Sequence, residues 1–211
     1  MNKIEKRTLK ENQITDAAEV VFSRQGYDNT KMEDIAAQIG VSKGTVYFYF
    51  SSKENLYMAI TYRAYETLID LFHRTIFDNR NKKGIDSVLS LMRAFMDFSE
   101  TNYIYGEALL NYYSFVRSTS QGMDNNKLTD GMSVQSTPIE ITVKEIERGI
   151  RDGSIRAGVK PQMIYLNAWA LVIGFMKLND TSASSKMTIM RIDVQEWKDY
   201  MLEECRNMIE S

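Results

Sequence analysis

The sequence predicts an all-α protein built from two helical domains. Three observations support this fold class: the 211 residues include only 2 Pro and 11 Gly, apolar residues recur at helical spacing, and the alternation typical of strands is hard to find. With 44% hydrophobic and 26% charged residues, the chain has the composition of a globular protein. We predict a small domain over residues 1–55 and a larger helical bundle over residues 56–211.

The first helix is predicted over residues 8–24. Its apolar residues recur at i, i+3, i+4, i+7 and i+8, which places them on one face of an amphipathic helix. These residues are Ile14, Ala17, Ala18, Val21 and Phe22. Gly26 then ends the helix, because glycine readily takes the left-handed conformation found at helix C-termini.

The second helix begins at a capping box, Thr30-Lys31-Met32-Glu33. In this pattern the Thr30 hydroxyl accepts from the amide three residues on, and the Glu33 side chain reaches back. The apolar residues Met32, Ile35, Ala36 and Ile39 follow, and Gly40 redirects the chain after them. A short helix is therefore predicted between residues 30 and 39.

Ser42 caps a third, very short helix over residues 43–50. Val46 and Phe50 lie at i and i+4 and point inward. The other faces carry Lys43, Thr45, Tyr47, Phe48 and Tyr49. This helix therefore leaves a basic and aromatic surface outside its small apolar face.

Helix four is predicted to begin at the capping box Ser51-Ser52-Lys53-Glu54 and to run to the polar break at residues 79–83. Longer helices follow over residues 85–101, 103–117, 137–153, 161–179 and 193–209. Two of them have marked starts, because Thr137-Pro138-Ile139-Glu140 is a capping box with Pro at the first helical position and Asp193 begins an acidic equivalent. Residues 118–134 and 180–188 are polar and are predicted to be surface loops.

Composition and charge exclude several classes of protein. His73 is the only histidine, which excludes catalytic triads that do not use it and metal sites that need two imidazoles. Cys205 is the only cysteine, and the N-terminus lacks the apolar run of a secretory signal, so we expect a cytoplasmic protein. We also expect no cofactor. The longest apolar stretch, residues 164–176, is too short to cross a membrane. A net charge of −2 gives no indication of nucleic acid as a partner.

The order of the first three helices, in contrast, favours DNA as a partner. A helix, a turn with glycine and a second short helix, packed on a first helix, is the arrangement that places one helix in the major groove of DNA. No acidic residue occurs between residues 35 and 53. Lys43 and Thr45 lie where a helix N-terminus meets base edges, and Gly44 lets the backbone approach closely. The aromatic run at residues 47–50 is equally typical of core packing, so the pattern alone leaves both interpretations open.

Residues 14–60 resemble the N-terminal domain of the TetR family of bacterial transcriptional regulators. The resemblance rests on Phe22, Gly26 and Tyr27, the Thr30 cap, the DIA run at residues 34–36, the segment GVSKGTVY at residues 40–47 and the start of helix four, SKENL, at residues 52–56. It implies a homodimer that binds a pseudo-palindromic operator in double-stranded DNA through two recognition helices. It also implies repression that ends when a small molecule binds the C-terminal domain. An activator or a ligand-independent regulator is the alternative.

The resemblance also implies roles for single residues. Lys43, Gly44 and Thr45 correspond to contacts with base edges. Phosphate contacts are implied for Tyr47, Tyr49 and Lys53, and Thr30 and Lys31 are expected to contact the DNA backbone. Ser42 and Phe48 complete the predicted set; Phe48 departs from the polar or basic residue common there and either contacts sugar or a thymine methyl group or faces the protein. The basic arm over residues 1–10 either reaches DNA or is a solvated tail.

The last two helices carry apolar stripes suited to a helix–helix seam. The stripe residues are Tyr165, Trp169, Val172, Met176, Val194, Trp197, Met201, Cys205 and Met208. In the TetR family such a pair of helices commonly forms the dimer's four-helix bundle, so the resemblance implies a dimer interface here. The alternative is that both stripes face the core of the protomer.

A second apolar and aromatic set on the middle helices predicts an adaptable pocket for an apolar or aromatic effector. Its members are Met92, Phe95, Met96, Tyr105, Leu109, Asn111, Tyr112 and Phe115, with Asn167 as a further polar group. Ordinary core packing is the alternative for each residue. We find no paired carboxylates, glycine-rich phosphate loop or nucleophile with a base, so an enzyme or a small-molecule carrier is the weaker hypothesis.

Overall fold

The computed structural model describes residues 2–119, 137–180 and 191–211, and it confirms the all-α prediction. The helices are α1 (Lys3–Asn29), α2 (Met32–Gln38), α3 (Lys43–Tyr49), α4 (Lys53–Asp78), α5 (Gly84–Thr101), α6 (Tyr103–Thr119), α7 (Pro138–Arg151), α8 (Pro161–Asp180) and α9 (Val194–Ile209). The predicted bounds of α3 to α9 agree with these within two residues. The loops predicted over residues 118–134 and 180–188 lie outside the described residues, except that residues 118–119 and 180 extend α6 and α8.

The first helix differs from its prediction at both ends. It begins at Lys3 rather than residue 8, because Asn2 caps it: the Asn2 side chain accepts from the Glu5 amide at 2.8 Å, and Glu5 accepts from the Asn2 amide at 2.9 Å. Gly26 interrupts the helix with φ 77°, a conformation that L side chains rarely adopt, and the chain then makes one more turn to Asn29. The basic arm is therefore the first part of α1.

The capping box predicted at residues 30–33 is wrong by one residue. The backbone amide of Lys31 donates to Asp34 at 2.8 Å, so α2 begins at Met32 and Asp34 is its capping acid. The Thr30 hydroxyl instead donates to the Gly26 carbonyl at 2.7 Å, and the Thr30 side chain is buried. Thr30 thus belongs to the C-terminal end of α1.

Two compact units divide the described chain. The first contains α1 to α3, the start of α4 up to Tyr65, and α6; the second contains the rest of α4 with α5, α7, α8 and α9. In the first unit, Ala108 of α6 is fully buried in the same core as Phe22 and Val46. This division differs from the boundary predicted at residue 55, because α6 packs with the helix-turn-helix although it lies far from it in the sequence.

The second unit is a helical bundle with a core of α5, α7, α8 and α9. Its most deeply buried side chains include Ile85, Leu91, Met96, Ile146 and Phe175. Gly84 and Gly149 let α5 and α7 approach closely, since a Cβ at Gly84 would lie 2.2 Å from the Gly149 nitrogen. None of the helices in the described ranges is long and apolar enough to span a membrane.

Candidate nucleic-acid interface

The turn between α2 and α3 is built from backbone geometry and one serine. Gly40 has φ 67°, and the Val41 amide donates to the Ala36 carbonyl at 3.0 Å, which ends α2 and redirects the chain. The Ser42 hydroxyl then accepts from the Thr45 amide at 3.1 Å and caps α3, as predicted. These bonds fix the position of the first residues of α3, which face the solvent.

One face of α3 is buried and the other is open. Val46 is fully buried, and Phe50 packs partly buried against the same core, as its spacing predicted. Phe48 is 73% exposed and Tyr47 is 41% exposed, which is unusual for large aromatic side chains in a folded unit. Packing therefore accounts for Val46 and Phe50 but not for the outward aromatics.

The outward face of α3 combines charge and ring surface. The Lys43 ammonium lies 5.4 Å above the Tyr47 ring, and the Phe48 ring meets the Tyr49 ring edge-on at 5.1 Å. A Cβ at Gly44 would meet only the Ser42 hydroxyl, so another molecule can approach the backbone there. This surface suits the phosphate and base edges of a DNA groove.

One acidic residue from outside the acid-free span of residues 35–53 contacts this surface. Glu33 of α2 forms an ion pair with Lys43, and both side chains are half-exposed. The hydrogen bond from Lys43 lowers the pKa of Glu33 below its usual value, so the carboxylate stays charged near neutral pH. DNA that binds Lys43 must therefore compete with Glu33.

Two residues predicted to contact DNA form bonds within the first unit. Thr30 is buried, and its hydroxyl is bonded to α1 as described above. The Lys53 ammonium donates to the carbonyls of Tyr27 at 2.7 Å and of Thr30 at 2.9 Å, and it lies 4.2 Å from the Tyr27 ring centroid. Lys53 thus caps the C-terminal end of α1 rather than standing free for phosphate.

The remaining predicted contacts separate by exposure. Lys31, Ser42, Lys43, Gly44, Tyr47 and Phe48 are exposed, while Thr45 and Tyr49 are half-buried. Arg7 near the start of α1 pairs with Glu11 at 2.8 Å, and its pKa is raised mainly by that acid and slightly by Tyr49 of α3. Arg7 of the predicted basic arm is therefore paired within its own helix.

The residues predicted to form an effector pocket divide between the two units. In the first unit, Asn111 is half-buried, Tyr112 packs edge-on against Tyr65, and Tyr105 donates to Glu19 at 3.2 Å. Leu109 is buried there, and the side chain of Phe115 lies outside the described residues. These polar groups are engaged in holding α6 to α1 and α4.

In the second unit, Met92, Phe95 and Met96 are buried in the bundle. The cavity beside Phe95 and Trp169 has a volume of about 30 Å³, which is room for about one water molecule. Asn167 is exposed and lines, with Met92, a separate groove of about 470 Å³. Among the described residues of the second unit, the predicted pocket is therefore filled beside Phe95 and open at the groove that Met92 and Asn167 line.

Most of the predicted dimer stripe is buried inside the second unit. Tyr165, Val172, Met176, Val194, Met201 and Cys205 are each at most 9% exposed, whereas Trp169 and Trp197 are half-buried and Met208 is 49% exposed. Buried side chains have little surface left for a partner, so for these six residues the alternative of protomer core is the better account. The outward face of α8 carries Met163, Leu166 and Leu178 instead.

Comparison with known proteins identifies relatives of the helix-turn-helix. A family model described as "Bacterial regulatory proteins, tetR family" matches residues 14–60. The biofilm operon icaADBC HTH-type negative transcriptional regulator IcaR of Staphylococcus aureus is 31% identical over 93 residues, 43% of this chain and 48% of IcaR. The HTH-type transcriptional activator FasR of Mycolicibacterium smegmatis is 36% identical over 97 residues, 44% of this chain and 42% of FasR. The chain thus matches less than half the length of each.

The fold of the whole chain is shared with solved structures. A crystal structure of the transcriptional regulator FadR from Bacillus subtilis in complex with stearoyl-CoA superposes with a TM-score of 0.61 at 19% identity, over 92% of this chain and 96% of FadR. At that identity the similarity concerns the fold alone. Residues 14–60 therefore match the helix-turn-helix domain of the TetR family of bacterial regulatory proteins, and the chain shares its fold with solved regulators.

Proposed function

We propose that this protein is a homodimeric transcriptional regulator that binds a pseudo-palindromic operator through α3 and releases it when a small molecule binds the second unit. The exposed face of α3 carries the proposal, because Tyr47, Phe48 and Lys43 are held outward by a cap and a buried Val46. DNA is the partner that matches this combination of cation, hydroxyl and ring edge. Its site of action is then the bacterial cytoplasm.

The contacts in this proposal differ from residue to residue. Lys43 and Gly44 lie at the N-terminal end of α3 and reach base edges, and Tyr47 donates to phosphate. Phe48 contacts a thymine methyl group or sugar, since its ring is exposed and lies edge-on to Tyr49. Residues 1–60 are neutral overall, with 8 basic and 8 acidic side chains. Non-specific affinity is therefore modest, and binding depends on two correctly spaced half-sites.

The dimer in this proposal forms through outward side chains of α8 and α9. Leu166 and Leu178 of α8 are more than half exposed, as is Tyr200 of α9. Large apolar side chains exposed together are typical of protein–protein surfaces. A two-fold axis between two such faces would present two recognition helices to one palindrome.

The direction of regulation is proposed to be repression, which is supported by the negative regulator IcaR. The activator FasR supports the alternative. FadR was solved with stearoyl-CoA, which supports a small-molecule effector for this fold. A reporter gene placed behind the operator distinguishes the two directions, since loss of the protein raises expression under repression and lowers it under activation.

Binding to DNA is tested with the full chain and duplexes selected from a random library. We expect one palindromic sequence to be enriched and its affinity to fall steeply with salt. Phe48→Ala is expected to weaken the selected duplex by about tenfold while changing random duplex little. Phe77→Ala, which removes a similarly exposed ring from α4, is the matched control. Failure to enrich any sequence, or equal effects of both variants, would contradict the proposal.

A further inference from the structure

A groove in the second unit lies between α5, α8, α9 and the turn before α8. Its volume of about 470 Å³ is in the range of small-molecule sites. The wall is mostly apolar and includes Val88, Met92, Ile164, Ala168, Leu171 and Ile209. The groove therefore offers an apolar chain a surface that the predicted aromatic pocket, at about 30 Å³, does not.

The charges of this groove all have one sign. Arg156 and Lys160 line it, and no acidic residue is among the described residues that do. Both side chains are exposed and form no ion pair within the described part of the chain. On α5 and α9, by contrast, Arg93 pairs with Asp199 and Arg206 pairs with Asp86 at 2.7 Å.

Backbone hydrogen bonds fix the two chain segments that carry these cations. The Arg156 amide donates to the Ile209 carbonyl at 3.0 Å, which ties the turn to the end of α9. Lys160 accepts through its carbonyl from the Met163 and Ile164 amides, so it begins α8. Two fixed chain segments thus bring two positive side chains to the edge of one apolar surface.

We propose that this groove binds a small amphipathic molecule with an anionic head, such as a medium-chain carboxylate. The head pairs with Arg156 and Lys160, and the chain lies along Met92, Ile164 and Ala168. The inference rests on the proposed function in one respect: this molecule is the effector that the regulator senses. Binding itself requires no DNA.

The experiment measures binding to the full chain by calorimetry without DNA. The probes are decanoate and 1-decanol, which share a chain and differ in the charge of the head. We expect decanoate to bind at least about tenfold more tightly than decanol, and more weakly as salt rises. The double variant Arg156→Gln/Lys160→Gln is expected to lose that preference and to bind both probes alike.

Two control variants locate the site. Arg151→Gln/Lys177→Gln removes the same charge from exposed positions of α7 and α8 outside the groove, and it is expected to keep the preference for decanoate. Asn167→Trp fills the groove from an exposed position and is expected to abolish binding of both probes. Lys177→Trp, on the same helix, is expected to bind like the original chain.

Three results would overturn the inference. The first is equal binding of decanoate and decanol, or no binding of either. The second is unchanged decanoate binding in Arg156→Gln/Lys160→Gln or in Asn167→Trp. The third is sedimentation showing that decanoate binding disappears as the dimer forms, because a second copy then covers the groove. If the chain selects an operator but binds no decanoate, only this inference is wrong. If it binds decanoate but selects no operator, only the proposed function is wrong.

Discussion

The ammonium group of Lys53 lies at the C-terminal end of α1, where the last carbonyls have no partners within the helix. It donates to the Thr30 carbonyl and to the Tyr27 carbonyl, which also accepts from the Thr30 amide at 3.2 Å, and it lies 4.2 Å from the Tyr27 ring centroid. The Tyr27 hydroxyl donates in turn to Glu54 at 3.1 Å. A lysine and a glutamate adjacent in sequence thus join the start of α4 to the end of α1.

Replacing this lysine is expected to affect folding before it affects DNA. Lys53→Met keeps the side-chain stem and removes both charge-assisted bonds, so we expect the free energy of unfolding to fall by about 1–3 kcal/mol in urea titrations. Lys31→Met removes an exposed lysine from the same unit and is expected to change it by less than about 0.5 kcal/mol. Equal stability of the two variants would return Lys53 to the role of a phosphate contact.

Glu54 makes the stability of the fold depend on pH. Burial opposes its ionisation, but hydrogen bonds from its own amide, Ser52 and Tyr27 outweigh that effect and lower the pKa of Glu54. A lowered carboxyl pKa stabilises the fold above the unfolded value of about 4.3, and this contribution is lost as pH falls through the folded pKa. Glu54→Gln is expected to flatten the decline of stability between about pH 6 and pH 3. Glu66→Gln, exposed on the same helix, should leave the decline as it is.

Among the helices, α6 shows most clearly that two helices adjacent in sequence can belong to different units. It follows α5 after one residue, yet it packs in the core of the helix-turn-helix through Ala108. Tyr105 of α6 donates to Glu19 of α1, and Glu19 also accepts from Arg63 of α4 at 3.0 Å. One carboxylate therefore joins three helices of the first unit.

Arg63 is the centre of this connection. Its guanidinium donates to Asp16 at 2.6 Å, to Glu19 and to the Asn12 side chain at 3.0 Å. Arg63→Met leaves two acids without their cation, so we expect unfolding to become easier by about 1–3 kcal/mol in thermal or urea melts.

A control on the same helix makes that measurement specific. Arg74 donates only to the Asp70 carbonyl of its own helix among the described contacts, at 3.3 Å. Arg74→Met is therefore expected to change stability by less than about 0.5 kcal/mol. Similar losses in both variants would show that the Arg63 cluster contributes no more than a surface arginine does.

For the whole molecule, the proposed dimer predicts that affinity for DNA depends on α8. Leu166→Glu places a charge on the exposed apolar face, so we expect monomers in sedimentation at micromolar concentration. Loss of the second half-site should then weaken operator binding by about a hundredfold or more. Ile139→Glu, at a comparably exposed position on α7, should keep both the dimer and the affinity. A dimer that survives Leu166→Glu would place the interface elsewhere.

Much of this fold follows from local patterns in the sequence. Helix periodicity and caps such as Ser42, Thr137 and Asp193 predicted α3 to α9 within two residues, because these signals act between neighbours along one helix. The Thr30 cap was placed one residue early because the sequence does not show that Thr30 bonds back to Gly26. The same holds for Lys53, whose partners lie more than 20 residues away.

The sequence by itself determined that the chain is helical, where its recognition helix lies and which family it resembles, since these depend on spacing and on a contiguous motif. Only the tertiary structure decided that α6 belongs with the helix-turn-helix, that the stripes of α8 and α9 are largely core, and that Arg156 and Lys160 border an apolar groove. A helical pattern shows that a face is apolar but not which neighbour covers it. That choice is made by packing between residues that are distant in the chain.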